Sequence, residues 1–376
     1  MKIISLKNLI FIFTVIISST NFLAAQTVEE LIDLLIQKNL IKQEEADSIR
    51  ADIALKVQQE KESQNKFSLV STKPLQLSGY TQARYQSFQE TDKIDGADLR
   101  RIRVDVRGNI SNPWDYRLQV DFASSVKVID AYLNVTMEDY LKITVGQQKI
   151  PFSMENCADD SKLESIDRSQ VVEALTARSK DVIGNHNGRD IGIQLSGSLL
   201  EYENQYLIDY ALGLFNGAGI NTADNNKQKD FSGRIVFHPM KGLDLGGSYY
   251  NGYDAWGSSP LKSQLRKRYG AEMKFLYEPF SLLAEYISGQ DGKITKNGGY
   301  AQAGIFVLEK KLQAMLKYDR FNPDINGKNN KATIYSFGIN YFFNNWAKFQ
   351  TNYLVRREES TQIKNDILEL QLQLSF

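Results

Sequence analysis

Three arginines and an aspartate occupy alternate positions in Arg101-Ile102-Arg103-Val104-Asp105-Val106-Arg107. In an extended chain this spacing puts the charges on one face and the apolar residues on the other. A row of planar guanidinium groups offers bidentate contacts to phosphate or a similar anion and lets it pass from one group to the next. Arg84, Arg117, Asp121 and Asp130 extend this polar face on neighbouring segments. A second set of charges lies between residues 151 and 187, where Arg168 and Arg178, with Lys149 just before, stand among Asp159, Asp160, Glu164 and Asp167. Ser179, Asp181, His186 and Asp190 are types that nucleophilic catalysis uses. Scattered carboxylates have no spacing that defines a Ca²⁺ site. No cofactor is expected, and Cys157, the lone cysteine, excludes an intrachain disulfide framework.

The elements that carry these residues are strands. Leu75–Arg84, Arg101–Arg107, Trp114–Ala123, Ile129–Thr136 and Leu141–Gly146 alternate apolar and polar residues. After the interruption at 151–187, candidates follow at Arg189–Leu200, Gln205–Phe215, Phe231–Phe237, Leu243–Tyr250, Arg266–Tyr277 and Phe280–Ser288. Tyr300–Glu309, Leu312–Phe321, Thr333–Phe343, Trp346–Arg356 and Asp366–Phe376 complete a set of about sixteen. Every second connection is tight, as at Asn112-Pro113, Glu278-Pro279 and Asn344-Asn345. Most of the others are longer, as at Gly217–Asp230, Asn251–Leu265, Gly289–Gly299 and Asn322–Ala332, and Ser124–Lys127 is the short exception. Short turns on one side and longer loops on the other are the pattern of a transmembrane β-barrel. The mean hydropathy of −0.37 is compatible with this, since alternation dilutes apolar residues along each strand.

The N-terminus predicts export. Lys2 and Lys7 precede the apolar Leu9–Ser18, and small residues before Gln26 mark a cleavage site, so residues 1–25 form a signal peptide. Residues 26–70 are expected to form a periplasmic helical, coiled-coil-like segment, with Val28, Leu31, Ile32 and Leu35 at helical spacing and a second stripe at Ala46, Ile49, Ile53 and Val57. Residues 71–376 form the barrel, with 151–187 as its constriction loop. Without Lys2 and Lys7 the chain has 43 basic and 45 acidic residues, a balance that argues against nucleic acid.

A barrel of this strand number encloses a lumen wide enough for water, where inward charges stay solvated. Asp98–Arg103, Gln119–Phe122, Asp130–Leu133, Gly146–Phe152, Ser165–Ser169, Arg189–Gly192 and Leu214–Gly217, in that order, resemble the phosphate-selective porin O/P family. The resemblance implies a sixteen-stranded outer-membrane porin of a Gram-negative bacterium, commonly a homotrimer, with the third external loop folded into the lumen. It also implies a path past Arg84, Arg101, Arg103, Asp105, Arg107, Arg117, Asp121, Asp130, Lys149, Arg168 and Arg178. Phe376, which ends an apolar strand face, resembles the signal that barrel assembly machinery reads.

The expected function is passive diffusion of small hydrophilic solutes, with no enzyme activity and outer-membrane lipid as surroundings. For selectivity, anion or phosphate preference stands beside a transverse field from opposed charges, because acids outnumber bases in the loop. Two other readings are an outer-membrane hydrolase using His186 and a barrel that chiefly anchors the helical segment.

Overall fold

The computed structural model describes residues 36–38, 46, 75–257, 262–308 and 310–376. The expected signal peptide and nearly all of the helical segment lie outside the described residues. From Gln76 to Ser375 the chain forms sixteen antiparallel strands that close into a barrel, each paired with its sequence neighbours and β1 (Gln76–Phe88) with β16 (Ile367–Ser375). Closure leaves no free sheet edge. Gly79 and Phe376 make the last link, with Gly79 N donating to Phe376 O at 3.0 Å and Phe376 N to Gly79 O at 2.9 Å.

The strands that carry the early charges are β2 (Gly96–Ser111), β3 (Trp114–Asp121), β4 (Lys127–Glu138) and β5 (Leu141–Lys149). Register puts Tyr80, Arg103 and Asp121 in one row across β1, β2 and β3, and Arg107, Arg117 and Tyr132 in another across β2, β3 and β4. Partners in such a row share a face, and here that face is the lumen. The opposite face is apolar and exposed, as at Leu118, Leu133, Leu316, Phe337 and Leu372. Tyr269, Tyr286, Tyr318 and Tyr335 lie outward toward one end, while Trp114, Phe237, Tyr277, Phe280 and Trp346 lie exposed toward the other. Two aromatic girdles flanking an apolar band are the lipid-facing surface of an outer-membrane barrel.

Two differences from the expected strands matter. The connection expected at Gly289–Gly299 is mostly strand: β11 (Phe280–Asp291) and β12 (Ile294–Leu308) pair down to Asp291 and Ile294. Pairing there outlasts hydrophobic alternation, because backbone hydrogen bonds need no apolar face above the membrane. The second difference is a bulge between Gln82 and Ala83, where Gln82 pairs with Arg101 and Ala83 with Leu99. Arg100 is the extra residue, and period two fails there.

The segment after β5 folds back inside the barrel. It contains a short helix α1 (Met154–Cys157), a 3₁₀ turn at Asp160–Lys162 and a helix α2 (Gln170–Leu175). Ser153 caps α1 by accepting from Asn156 N at 3.2 Å. The segment is not only charged. Ile150, Phe152, Val171, Val172, Ala174, Leu175 and Ala177 form an apolar cluster with Phe215, Tyr250 and Ile287 of the wall. Each such large side chain contributes about 1.5–3 kcal/mol when fully buried, enough to hold a loop that would otherwise stay solvated. Glycine makes the fit possible: a Cβ at Gly298 would stand 3.0 Å from Val171 Cβ, and one at Gly289 3.0 Å from Leu175 Cδ2.

Candidate functional site: the lumen and its internal loop

The internal loop is tied to the wall around much of the barrel. Gln350 Nε2 donates to Glu164 O at 3.0 Å, Gln302 Nε2 to Glu164 Oε2 at 2.8 Å and Gln373 Nε2 to Ser161 O at 3.2 Å. Lys317 on β13 (Leu312–Asn322) pairs with the buried Glu155 at 2.6 Å, and Arg266 on β10 (Lys262–Tyr277) pairs with Asp181 at 3.1 Å.

The most heavily charged anchor is Asp160. Arg103 and Arg168 both donate to it, and Arg101 lies 3.4 Å away. Burial alone would raise the Asp160 carboxyl, but Arg101, Arg168, Arg103 and Arg178 outweigh it and hold the carboxyl well below the usual range. Asp160 therefore stays ionised and cancels part of the positive charge around it. For Arg178 the balance is reversed: burial first, and then the like charge of Arg168, lowers its guanidinium well below the ordinary value. Its Nε donates to Asn156 Oδ1 at 2.8 Å. Gly188, with φ of +71°, keeps Asn156 in place, since a Cβ there would overlap its Oδ1.

The loop leaves two open regions. On the side of the long connections is a cavity of about 520 Å³. Its wall has eight cations, Arg84, Arg100, Arg101, Arg168, Arg178, Lys180, Lys317 and Arg356, against Asp167, Glu173 and Asp319. On the short-turn side a cavity of about 580 Å³ is lined by Arg107, Arg117 and Lys142 with Asp115. A pocket of about 220 Å³ that shares Arg117 and Lys142 extends from it to Asp130 and Lys149. Both regions carry a cationic excess.

Between them lies the C-terminal end of α1, whose carbonyls have no partners within the helix. Lys149 Nζ, on the lower pocket wall, donates to Ala158 O at 2.5 Å and Cys157 O at 3.0 Å. Arg168, on the upper cavity wall, donates to the same Ala158 O at 3.0 Å and to Glu155 O at 3.0 Å. The two cations thus approach one carbonyl from opposite regions.

A family profile described as Phosphate-selective porin O and P matches residues 76–256 and 246–376. The chain belongs to that family. It is an outer-membrane porin that forms a channel. Among solved structures, it resembles the anion-selective porin from Comamonas acidovorans at 12% identity, with a TM-score of 0.63 over 81% of this chain and 100% of that one. The trimer form of OmpT from Vibrio cholerae gives 14% identity and a TM-score of 0.58 over 81% and 100%. OmpF of Salmonella typhi, in complex with daunomycin, gives 11% and 0.60 over 81% and 98%. No curated protein matches the chain.

The residues singled out from sequence have different positions in the porin. Arg84, Arg101, Arg168 and Arg178 line the cavity on the long-connection side, and Arg107, Arg117, Asp130 and Lys149 the cavities on the short-turn side. Arg103, Asp105 and Asp121 are buried in ion pairs: Arg103 with Asp121 at 3.1 Å, and Asp105 with Arg117 at 2.6 Å and Arg107 at 3.0 Å. Asp130 is held by Arg189 at 2.7 Å and Arg117 at 3.2 Å. The arginine row of β2 is therefore not one continuous open track, since its middle member is consumed in docking the loop. Arg100, Lys180, Lys317 and Arg356 had not been singled out. Lys317 and Arg356 were readable as polar positions on alternating strands, whereas Arg100 faces inward only because of the bulge.

The hydrolase residues are not brought together. Ser179 Oγ donates to Glu173 Oε2 at 2.5 Å, Asp181 pairs with Arg266, and Asp190 accepts from Gly217 N at 2.6 Å. Both ring nitrogens of His186 contact backbone, Nε2 at Ile183 O (3.0 Å) and Nδ1 at Ile220 N (3.2 Å).

Proposed function

We propose that this porin passes small anions in preference to cations, with phosphate among its solutes. The observation that carries the reading is the long-connection cavity, read as the outer mouth of the channel, whose wall has eight cationic side chains and three carboxylates, with Asp160 and Glu155 behind the wall paired to Arg101, Arg168 and Lys317. The chain's near-neutral balance conceals this excess. Asp105, Asp121, Asp130 and Asp160 are each paired with arginine, while Lys180 and Arg356 have no carboxylate partner among the described residues and remain on the wall. A cationic, water-filled mouth with low-dielectric walls concentrates anions and excludes cations. The chemistry needed is diffusion alone, so the channel is read as a non-enzyme.

The reading extends to assembly. The mature protein starts after a signal peptide, carries a periplasmic helical segment, is recognised by barrel assembly machinery through Phe376, and forms a homotrimer. The matching Comamonas porin is described as anion-selective, which supports the preference. Reversal potentials across a planar bilayer test it. Under a KCl gradient an anion-selective sign is expected, and millimolar phosphate should reduce the chloride current. A cation-selective sign would overturn it.

A further inference from the structure

The lipid-facing side of the barrel has a groove unrelated to the lumen. It is an open cavity of about 620 Å³ across β10, β11, β12 and β13. Its floor is made of small outward residues in register: Ala284 pairs with Ala301, and Tyr286 with Gly299. Tyr286 and Tyr318 stand as walls, each outward and exposed. Elsewhere the outward face is filled by large apolar side chains such as Leu282, Leu316 and Phe337. The floor lies near the middle of the strands, and the groove runs toward the long-connection side, where Asn297, Asn322, Arg320 and Lys331 close it.

Arg320 is an outward residue, because it pairs with Gly299 across from Tyr286. A charge on the lipid face is tolerated near the interface and is costly at the midplane. Glu359 Oε1 lies 3.9 Å from the side-chain nitrogens of both Arg320 and Lys331, too far for a hydrogen bond to either, while Oε2 accepts from the Lys331 backbone N–H at 3.4 Å. The other nearby outward base, Arg357, is already held by Asp366 at 3.1 Å. Two cations that share one carboxylate at 3.9 Å, neither with a side-chain hydrogen bond to it, thus stand over an apolar slot that opens into the outer leaflet.

We propose that this groove binds a phosphorylated, multiply acylated glycolipid of the outer leaflet. An acyl chain lies over Ala284, Ala301 and Gly299 between the two tyrosines, and a headgroup phosphate contacts Arg320 and Lys331. The charge at one end and the apolar slot beneath it fit a lipid with an anionic head. A free phosphate has no use for the slot, and a neutral phospholipid has none for the cations.

Native mass spectrometry of the folded full barrel in detergent tests this with bis-phosphorylated lipid A, its dephosphorylated form and phosphatidylethanolamine. The wild type should retain bis-phosphorylated lipid A above the other two. Arg320→Ala with Lys331→Ala should lower that retention about tenfold and leave the dephosphorylated form unchanged. Ala284→Leu with Ala301→Leu should fill the slot and reduce both lipid A forms. All four positions face outward, so pairing of the strands should survive, and heat-modifiable migration on gels checks it. Equal retention of all three lipids by the wild type, or of lipid A by all variants, would overturn the assignment. So would a change of oligomer mass in the slot variant without loss of lipid, which would make a second copy of the chain the occupant.

Discussion

Replacing Arg356 and Lys180 by glutamine tests the outer mouth most directly. Both line it, yet neither side chain carries a loop anchor: the Arg357 side chain bonds Asp366, to which Arg356 donates only its backbone N–H, and Lys180 is exposed. The cavity's 520 Å³ corresponds to a sphere of roughly 5 Å radius, so a permeating ion passes within roughly 7 Å of each lining charge. In water-like dielectric each cation then contributes about 0.6 kcal/mol, reduced to about 0.3 kcal/mol at 0.1 M salt. Losing two lowers anion enrichment about threefold, and cation exclusion weakens by the same factor. The anion-to-cation permeability ratio should therefore fall about sevenfold. At 1 M salt the Debye length is about 3 Å and the change should shrink to under about 1.5-fold. Reversal potentials of the double variant at both salt concentrations measure this. An unchanged ratio at 0.1 M, or a change that persists at 1 M, would refute the electrostatic mouth.

Further expectations concern the internal loop. Glu155→Gln leaves Lys317 buried without its counter-charge, a loss of about 3–5 kcal/mol that should free the loop tip and raise single-channel conductance and noise. Asp160→Asn should do the same at every pH, since three arginines lose their common partner. Gly298→Val should strain the β12–β13 pairing and push α2 off the wall, because even a Cβ would sit 2.5 Å from Arg320 O and 3.0 Å from Val171 Cβ; limited proteolysis between Gln170 and Asn187 reads this out. In the wild type, acid should act late. The Asp160 carboxyl in the folded protein titrates below its unfolded value of 3.8, so its contribution is complete above that value and disappears only as pH falls through the lower one. Conductance from pH 7 to about 4.5 should show no opening attributable to Asp160.

The barrel was legible because membrane burial imposes period two over long stretches. Leu368 to Phe376 and Ile102 to Val106 announce their faces residue by residue. The tight turns at Asn112-Pro113 and Asn344-Asn345 then fix which connections lie on which side. The mouth was only half legible. Arg84 and Arg101 follow from alternation, but Arg100 depends on a bulge, and a bulge has no composition of its own at Gln82-Ala83. The internal loop hid most. Its charges attract attention in the sequence, while Val171, Val172 and Leu175 look like a stray apolar run. Their role depends on Gly289 and Gly298, more than a hundred residues later in the chain.

That division explains how a nearly neutral chain can hold a strongly cationic mouth. An acid on the wall or loop lowers the field felt by a solute only as far as it is not already paired with a base deeper in the protein. Asp160 takes three arginines as neighbours, of which Arg103 and Arg168 are buried against it and Arg101 keeps more exposure on the cavity wall. Glu155 likewise engages Lys317 on one side while accepting Ser169 N on the other at 2.7 Å. The loop's acids therefore act chiefly as pins that hold it against a basic wall, and its buried bases Arg168 and Arg178 border the cavity while bonding the loop itself. Counting charges by segment treats pins and path as equal. In the proposed reading, selectivity is set by the residues left over after docking, such as Lys180 and Arg356.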